Sequence, residues 1–104
     1  YQFRKLLEEH IKSKQRIEEY TEMLGLSRIT LNKAIKTQFN TTASDLIKQR
    51  LLFEVKNLLI YSNLSINQIA EKLNFSEANH LTRLFKKREG ITPSEYRLTY
   101  QNRK

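Results

Sequence analysis

Asn79, Thr82, Arg83 and Lys86 follow one another at i, i+3, i+4 and i+7, the spacing of side chains that share one face of an α-helix. Fifty residues earlier, Ile29, Asn32, Lys33 and Lys36 occupy the same four places. These residue types suit one kind of chemistry. Asn and Arg make paired hydrogen bonds to the edges of adenine and guanine, Thr donates or accepts, and an apolar side chain meets a thymine methyl group. A merely solvated helix face carries Asn, Lys and Arg too, but matched basic residues at matched places in two segments favour nucleic acid. Ile29 is the sharper signal: an outward isoleucine needs a partner, unless the helix phase is off and it packs on a neighbouring helix. Lys86, Lys87 and Arg88 form a basic run, with Lys36 as the counterpart of Lys86. Such a run meets phosphates, or complements the C-terminal end of a helix dipole.

Other chemistry is poorly represented. The chain has no cysteine and two histidines, His10 and His80, which lie far apart and lack zinc-ligand spacing. Asp45 is the lone aspartate and reads as a capping residue. There is no glycine-rich phosphate loop, activated nucleophile or paired acid. No catalytic residue, metal site or cofactor is expected, and the chain does not read as an enzyme. Tyr61, Tyr96 and Tyr100 could stack on bases, yet their helical spacing suits a core or its rim equally.

Nineteen Lys and Arg against eleven Asp and Glu leave a net charge of +8 on 104 residues. Residues 1–50 hold ten basic and six acidic groups, and residues 51–104 hold nine and five. The charge is therefore spread over the body rather than gathered in a tail. That is an electrostatic footprint of nucleic-acid binders; an anionic membrane surface or an acidic protein would also fit. A chain of this size buries roughly 65% of its unfolded surface, enough for a modest core. No stretch approaches a membrane span or a secretory signal, and a cytoplasmic location is expected. The first residue is Tyr1 rather than methionine, so a piece of a longer protein is expected.

The elements that must position these residues are helices. Apolar residues recur at helical spacing almost throughout, as in Ile17, Tyr20, Thr21, Leu24 and again in Ile66, Ile69, Ala70, Leu73. Ser65 with Gln68, and Thr92 with Pro93 and Glu95, have the pattern of capping boxes; Thr42 with Asp45 is a weaker version. Residues 17–45 also overlay residues 66–95. The offset is 49 as far as Ser27 and Ser76, and 50 from Leu31 and Leu81 onward, with eight of 29 pairs identical. Each copy reads as a short amphipathic helix, a tight turn and a second helix. Gly25 and Asn74 fall at the first turn of each copy, Asn40 and Gly90 at the next. Those are the two residue types best suited to left-handed backbone. Between the copies, residues 44–61 form a long helix with apolar residues on most sides. Leu31 and Ile35 in one copy, and Leu81, Leu84 and Phe85 in the other, should face the core. The expected fold is all-α, with a first unit at about 1–43, a linking helix at about 44–61 and a second unit at about 62–100.

The stretch "LSINQIAEKLNFSEANHLTRLFKKREGITPSEYR" (64–97) closely resembles the signature of AraC/XylS-type bacterial transcription regulators. Ser65, Ile66, Ile69, Ala70, Phe75, Arg83, Phe85, Lys86, Lys87, Gly90, Thr92, Pro93, Tyr96 and Arg97 carry the match. Asn74 stands where a glycine is usual, Leu81 where a phenylalanine is, and Thr21 where the first copy commonly has alanine. The resemblance implies seven helices and two helix–turn–helix motifs, with recognition helices at 28–37 and 77–87 in adjacent major grooves of double-stranded DNA. It puts base-contacting roles on Ile29, Asn32 and Lys33, and on Ala78, Asn79, Thr82 and Arg83. It further implies an N-terminal sensor or dimerisation domain in the full-length protein, and RNA polymerase as a partner of an activator. The rival readings are a basic helical module that docks a protein, and a binder of nucleic acid without sequence preference.

Overall fold

The computed structural model describes residues 2–101. Within them the secondary structure is seven helices: α1 (Gln2–His10), α2 (Ile17–Leu24), α3 (Arg28–Phe39), α4 (Ala43–Tyr61), α5 (Ile66–Lys72), α6 (Ala78–Glu89) and α7 (Pro93–Gln101). The fold is all-α, and among the described residues no helix is long and apolar enough to cross a membrane. The chain divides into two compact units, one ending at Leu51 and the other starting at Leu52, so the boundary falls inside α4.

The first unit closes over Phe3, Leu7, Ile11, Ile17, Tyr20, Leu31, Ile35, Ala43 and Ile47, all buried. Phe3 and Tyr20 meet edge to face, 5.7 Å between ring centroids. The Tyr20 ring is fully buried while its hydroxyl donates to the Lys14 carbonyl at 2.7 Å. Burial, with Glu19 as a smaller cause, pushes the phenol up to about 12. At the rim, Arg50 Nε donates to Glu8 at 2.6 Å and the Arg4 guanidinium lies 5.5 Å from the Phe39 ring centre.

The second unit is built on Val55, Leu59, Ile69, Ala70, Leu73, Leu81, Phe85 and Pro93. Phe85 meets Tyr96 edge to face at 5.4 Å, and Tyr96 meets Tyr100 at 4.4 Å. Of the three tyrosines, Tyr61 is exposed and Tyr96 belongs to the rim of the core. The last carbonyls of α4 have no partners within their own helix. Arg97 Nε donates to the Leu59 carbonyl at 3.0 Å, and its Nη2 to the Leu58 and Ser62 carbonyls at 3.3 Å. Gln101 adds a further bond to Leu59 at 3.1 Å. A helix end is thus closed by side chains about forty residues away.

Helix starts follow the capping expectations closely. Ser65 accepts from the Gln68 N–H at 3.1 Å while Gln68 Oε1 accepts from the Ser65 N–H at 2.8 Å. Thr92 and Glu95 do the same at 3.1 and 2.8 Å. The backbone and side-chain bonds from Thr92 hold the Glu95 carboxyl below its usual range. In the weaker pair, Thr42 accepts from the Asp45 N–H at 3.1 Å, but the shorter Asp45 side chain turns to Thr41 and Gln49 instead.

Candidate nucleic-acid interface

Each unit contains a pair of helices joined by the same turn. In the first, the Leu26 N–H reaches the Thr21 carbonyl at 3.1 Å and the Gly25 N–H reaches Glu22 at 3.2 Å. In the second, Phe75 reaches Ala70 at 2.8 Å and Asn74 reaches Glu71 at 3.1 Å. Both are the paired 6→1 and 5→2 bonds of a Schellman motif. Gly25 has φ of 66° and Asn74 of 62°. The next turn uses the simpler left-handed cap, with Asn40 at 56° and Gly90 at 85°. Their N–H groups bond to the Lys36 and Lys86 carbonyls, each at 2.9 Å. All four positions expected to be left-handed are so. These caps let α3 and α6 run to Phe39 and Glu89, each two residues beyond the recognition helices implied by resemblance.

Burial along α3 and α6 matches residue for residue from Ile29 and Asn79 onward; only the first residues differ, Arg28 being exposed and Ala78 half-buried. Leu31 and Ile35, like Leu81 and Phe85, are buried, whereas Ala34 and Leu84 are half-buried. The outward side holds Ile29, Lys33 and Lys36 on α3, and Asn79, Arg83, Lys86, Lys87 and Arg88 on α6, all exposed. Ile29 is 75% exposed, so it does not pack on a neighbouring helix. Asn32, Ala78 and Thr82 are half-buried at the edge of the same face. His80 is exposed and sits edge-on to the Phe75 ring at 5.4 Å. At the start of α3, Ser27 accepts from the Thr30 N–H at 3.1 Å; at the start of α6, the Glu77 side chain makes no such bond.

Asn32 has a task that its spacing did not announce. Its Oδ1 accepts from the Ala43 N–H, at the first turn of α4, at 2.9 Å. The corresponding residues in the second unit are Thr82 and Pro93, and proline has no N–H to donate. The signal was present as a paired exchange, Asn with Ala and Thr with Pro, visible only once the two copies are laid over each other.

Two outward recognition-type helices, each entered and left through the same left-handed turns within one chain, define a protein of the double helix–turn–helix class. The model of a family described as "Helix-turn-helix domain" matches residues 20–99. The chain is 30% identical over 82 residues to the xylose operon regulatory protein of Escherichia coli K12, covering 79% of this chain and 21% of that protein. Among solved structures it is similar to the C-terminal domain of the two-component response regulator yesN from Fusobacterium nucleatum. There the identity is 30% and the TM-score 0.83, with 91% of this chain and 93% of that one covered. The fold is shared with the DNA-binding domain of the global transcriptional factor AdpA, solved with a target DNA, at 19% identity and TM-score 0.87 over 99% and 93% of the two chains. The chain belongs to the AraC-type helix–turn–helix family of transcription regulators, as a DNA-binding domain. It spans about a fifth of the length of the xylose regulator.

Proposed function

We propose that the chain reads a specific double-stranded site, with α3 and α6 each entering a major-groove segment as a recognition helix. One observation carries this: the two helices share one pattern of burial and expose base-reading residues at matched places. Ile29 and Lys33 face bases in the first unit, and Asn79, Arg83 and the half-buried Ala78 and Thr82 do so in the second. Lys36, Lys86, Lys87 and Arg88 lie toward the helix C-termini, where they meet phosphates and hold the register. The full-length protein carries an N-terminal sensor or dimerisation portion and acts in the bacterial cytoplasm; an activator also meets RNA polymerase.

Selection from random duplexes tests the reading. The chain should enrich one asymmetric site, and binding to that site should survive an excess of unrelated duplex. Loss to competitor would leave sequence-indifferent binding, and no binding to duplex would leave the protein-docking module. With roughly six phosphate contacts, affinity should also drop about a thousandfold between 50 and 200 mM salt. A flat salt curve would contradict phosphate contact.

A further inference from the structure

Asn32 lies on the reading side of α3, one turn from both Ile29 and Lys36, and reading a base is the obvious role for its carboxamide. To pair with adenine, an asparagine must present its oxygen and its amide together. Here Oδ1 already accepts from the Ala43 N–H at 2.9 Å, and the side chain is half-buried. Ala43 is fully buried at the first position of α4, where backbone N–H groups have no partner within the helix. An unmet donor there is costly. The second unit shows how the same place is served without a carboxamide. Pro93 removes the donor and remains compatible with the first turn of α7, and a threonine, Thr82, stands at the place that corresponds to Asn32.

We propose that Asn32 is a positioning residue: it latches the reading helix α3 to the start of α4 and does not itself read a base. The latch ties α3 to the helix that follows it across the turn at Asn40, a residue held at φ 56°. Without it, α3 keeps its own caps at Ser27 and Asn40 but loses its side-chain tie to the next helix. Ile29 and Lys33, on the same helix, are then in their reading orientation only part of the time, a cost that falls on every duplex alike. In the first unit, sequence preference therefore rests on Ile29 and Lys33 alone among the three matched positions.

This inference rests on the proposed sequence-specific reading and is tested on the selected site of the wild-type chain. Asn32→Ala and Ala43→Pro remove the acceptor and the donor in turn, and the second substitution copies what the second unit has at that place. Affinities are measured well below the melting temperature, on the selected site and on every single-base variant of it. Each substitution should weaken binding by the same factor on all of these duplexes, roughly fivefold, the factor to which the usual cost of one lost capping bond corresponds if it is felt in full as a smaller binding-competent population. In the Ala43→Pro background, Asn32→Ala should have no further effect, because the two changes break one bond. Flattened preference at a single base pair in Asn32→Ala would overturn the proposal and make Asn32 a base contact. Unchanged affinity in the folded variants would also overturn it, reducing the bond to stability alone, and so would additive effects in the double variant. Failure of the wild-type chain to select any site would instead sink the sequence-specific reading itself, and the inference with it.

Discussion

The two units are near copies that reach the same shape with different chemistry. Their turns agree to the bond: Gly25 and Asn74 hold the same left-handed backbone, and the same two carbonyls behind each are satisfied. Their helix starts do not agree. At the start of α5, Ser65 and Gln68 form a reciprocal box. At the start of α2, Arg16 has only the return half, its N–H donating to Glu19 at 3.1 Å. At the third helix of each motif, Asn32 serves Ala43 where Pro93 needs no service. Backbone geometry is held in common and the means of satisfying donors vary, as expected if the donors must be met but no particular side chain must meet them.

The largest test of that equivalence lies in the core. Phe85 and Ile35 are both fully buried at corresponding places. Phe85→Ala should destabilise by about 3–5 kcal/mol and Ile35→Ala by about 2–5 kcal/mol, read from chemical denaturation. If either proved nearly neutral, the two helices would not be equivalent structural supports. Next come the left-handed turns. A Cβ added at Gly25 would meet nothing within 4 Å, so space is not the constraint and φ of 66° is. Gly25→Ala should therefore lower stability by about 1–2 kcal/mol. Asn74→Gly, which relieves the same backbone, should raise the melting temperature slightly. Equal losses in both would mean that the Asn74 side chain has its own structural role.

Capping gives a smaller contrast. Ser65→Ala should lose about 1 kcal/mol, whereas Arg16→Ala should change stability little, because the Arg16 side chain makes no cap bond. A comparable loss at Arg16 would break the distinction. A further contrast is confined to the first unit and to alkaline pH. Tyr20 has its phenol pushed up to about 12 by burial, from an ordinary value of 10. Above pH 10 the unfolded chain releases that proton while the folded chain keeps it, so stability falls as pH rises from 10 to about 12. A melting profile of Tyr20→Phe should lose this part of the decline. A profile unchanged by the substitution would place the titration elsewhere.

Much of this was legible because it is local. Gly25, Asn40, Asn74 and Gly90 announced positive φ through their residue types, and Ser65 and Thr92 announced caps through a glutamine and a glutamate three places on. The phase of α3 and α6 followed from Leu31, Ile35, Leu81 and Phe85, and it placed Ile29 outside, where it lies. What escaped depends on distance along the chain. Arg97 closes α4 through carbonyls 35 to 39 residues away, and no periodicity encodes that. Glu54 is only 8% exposed on α4, although a glutamate in an apolar helix reads as the solvated side. Asn32 has the residue type of a base contact and the spacing of one, and only its hydrogen bond separates the two roles.

The central claim is that each unit reads its own part of one site. Selected sites should be compared for the wild-type chain, Lys33→Ala and Arg83→Ala, with footprints on the wild-type site. The account predicts protection over about two helical turns, roughly 20 base pairs. Lys33→Ala should flatten preference in one half, and Arg83→Ala in the other at a cost of about 1–3 kcal/mol on its preferred base. Protection of a single turn, or the same base positions flattened by both substitutions, would contradict it.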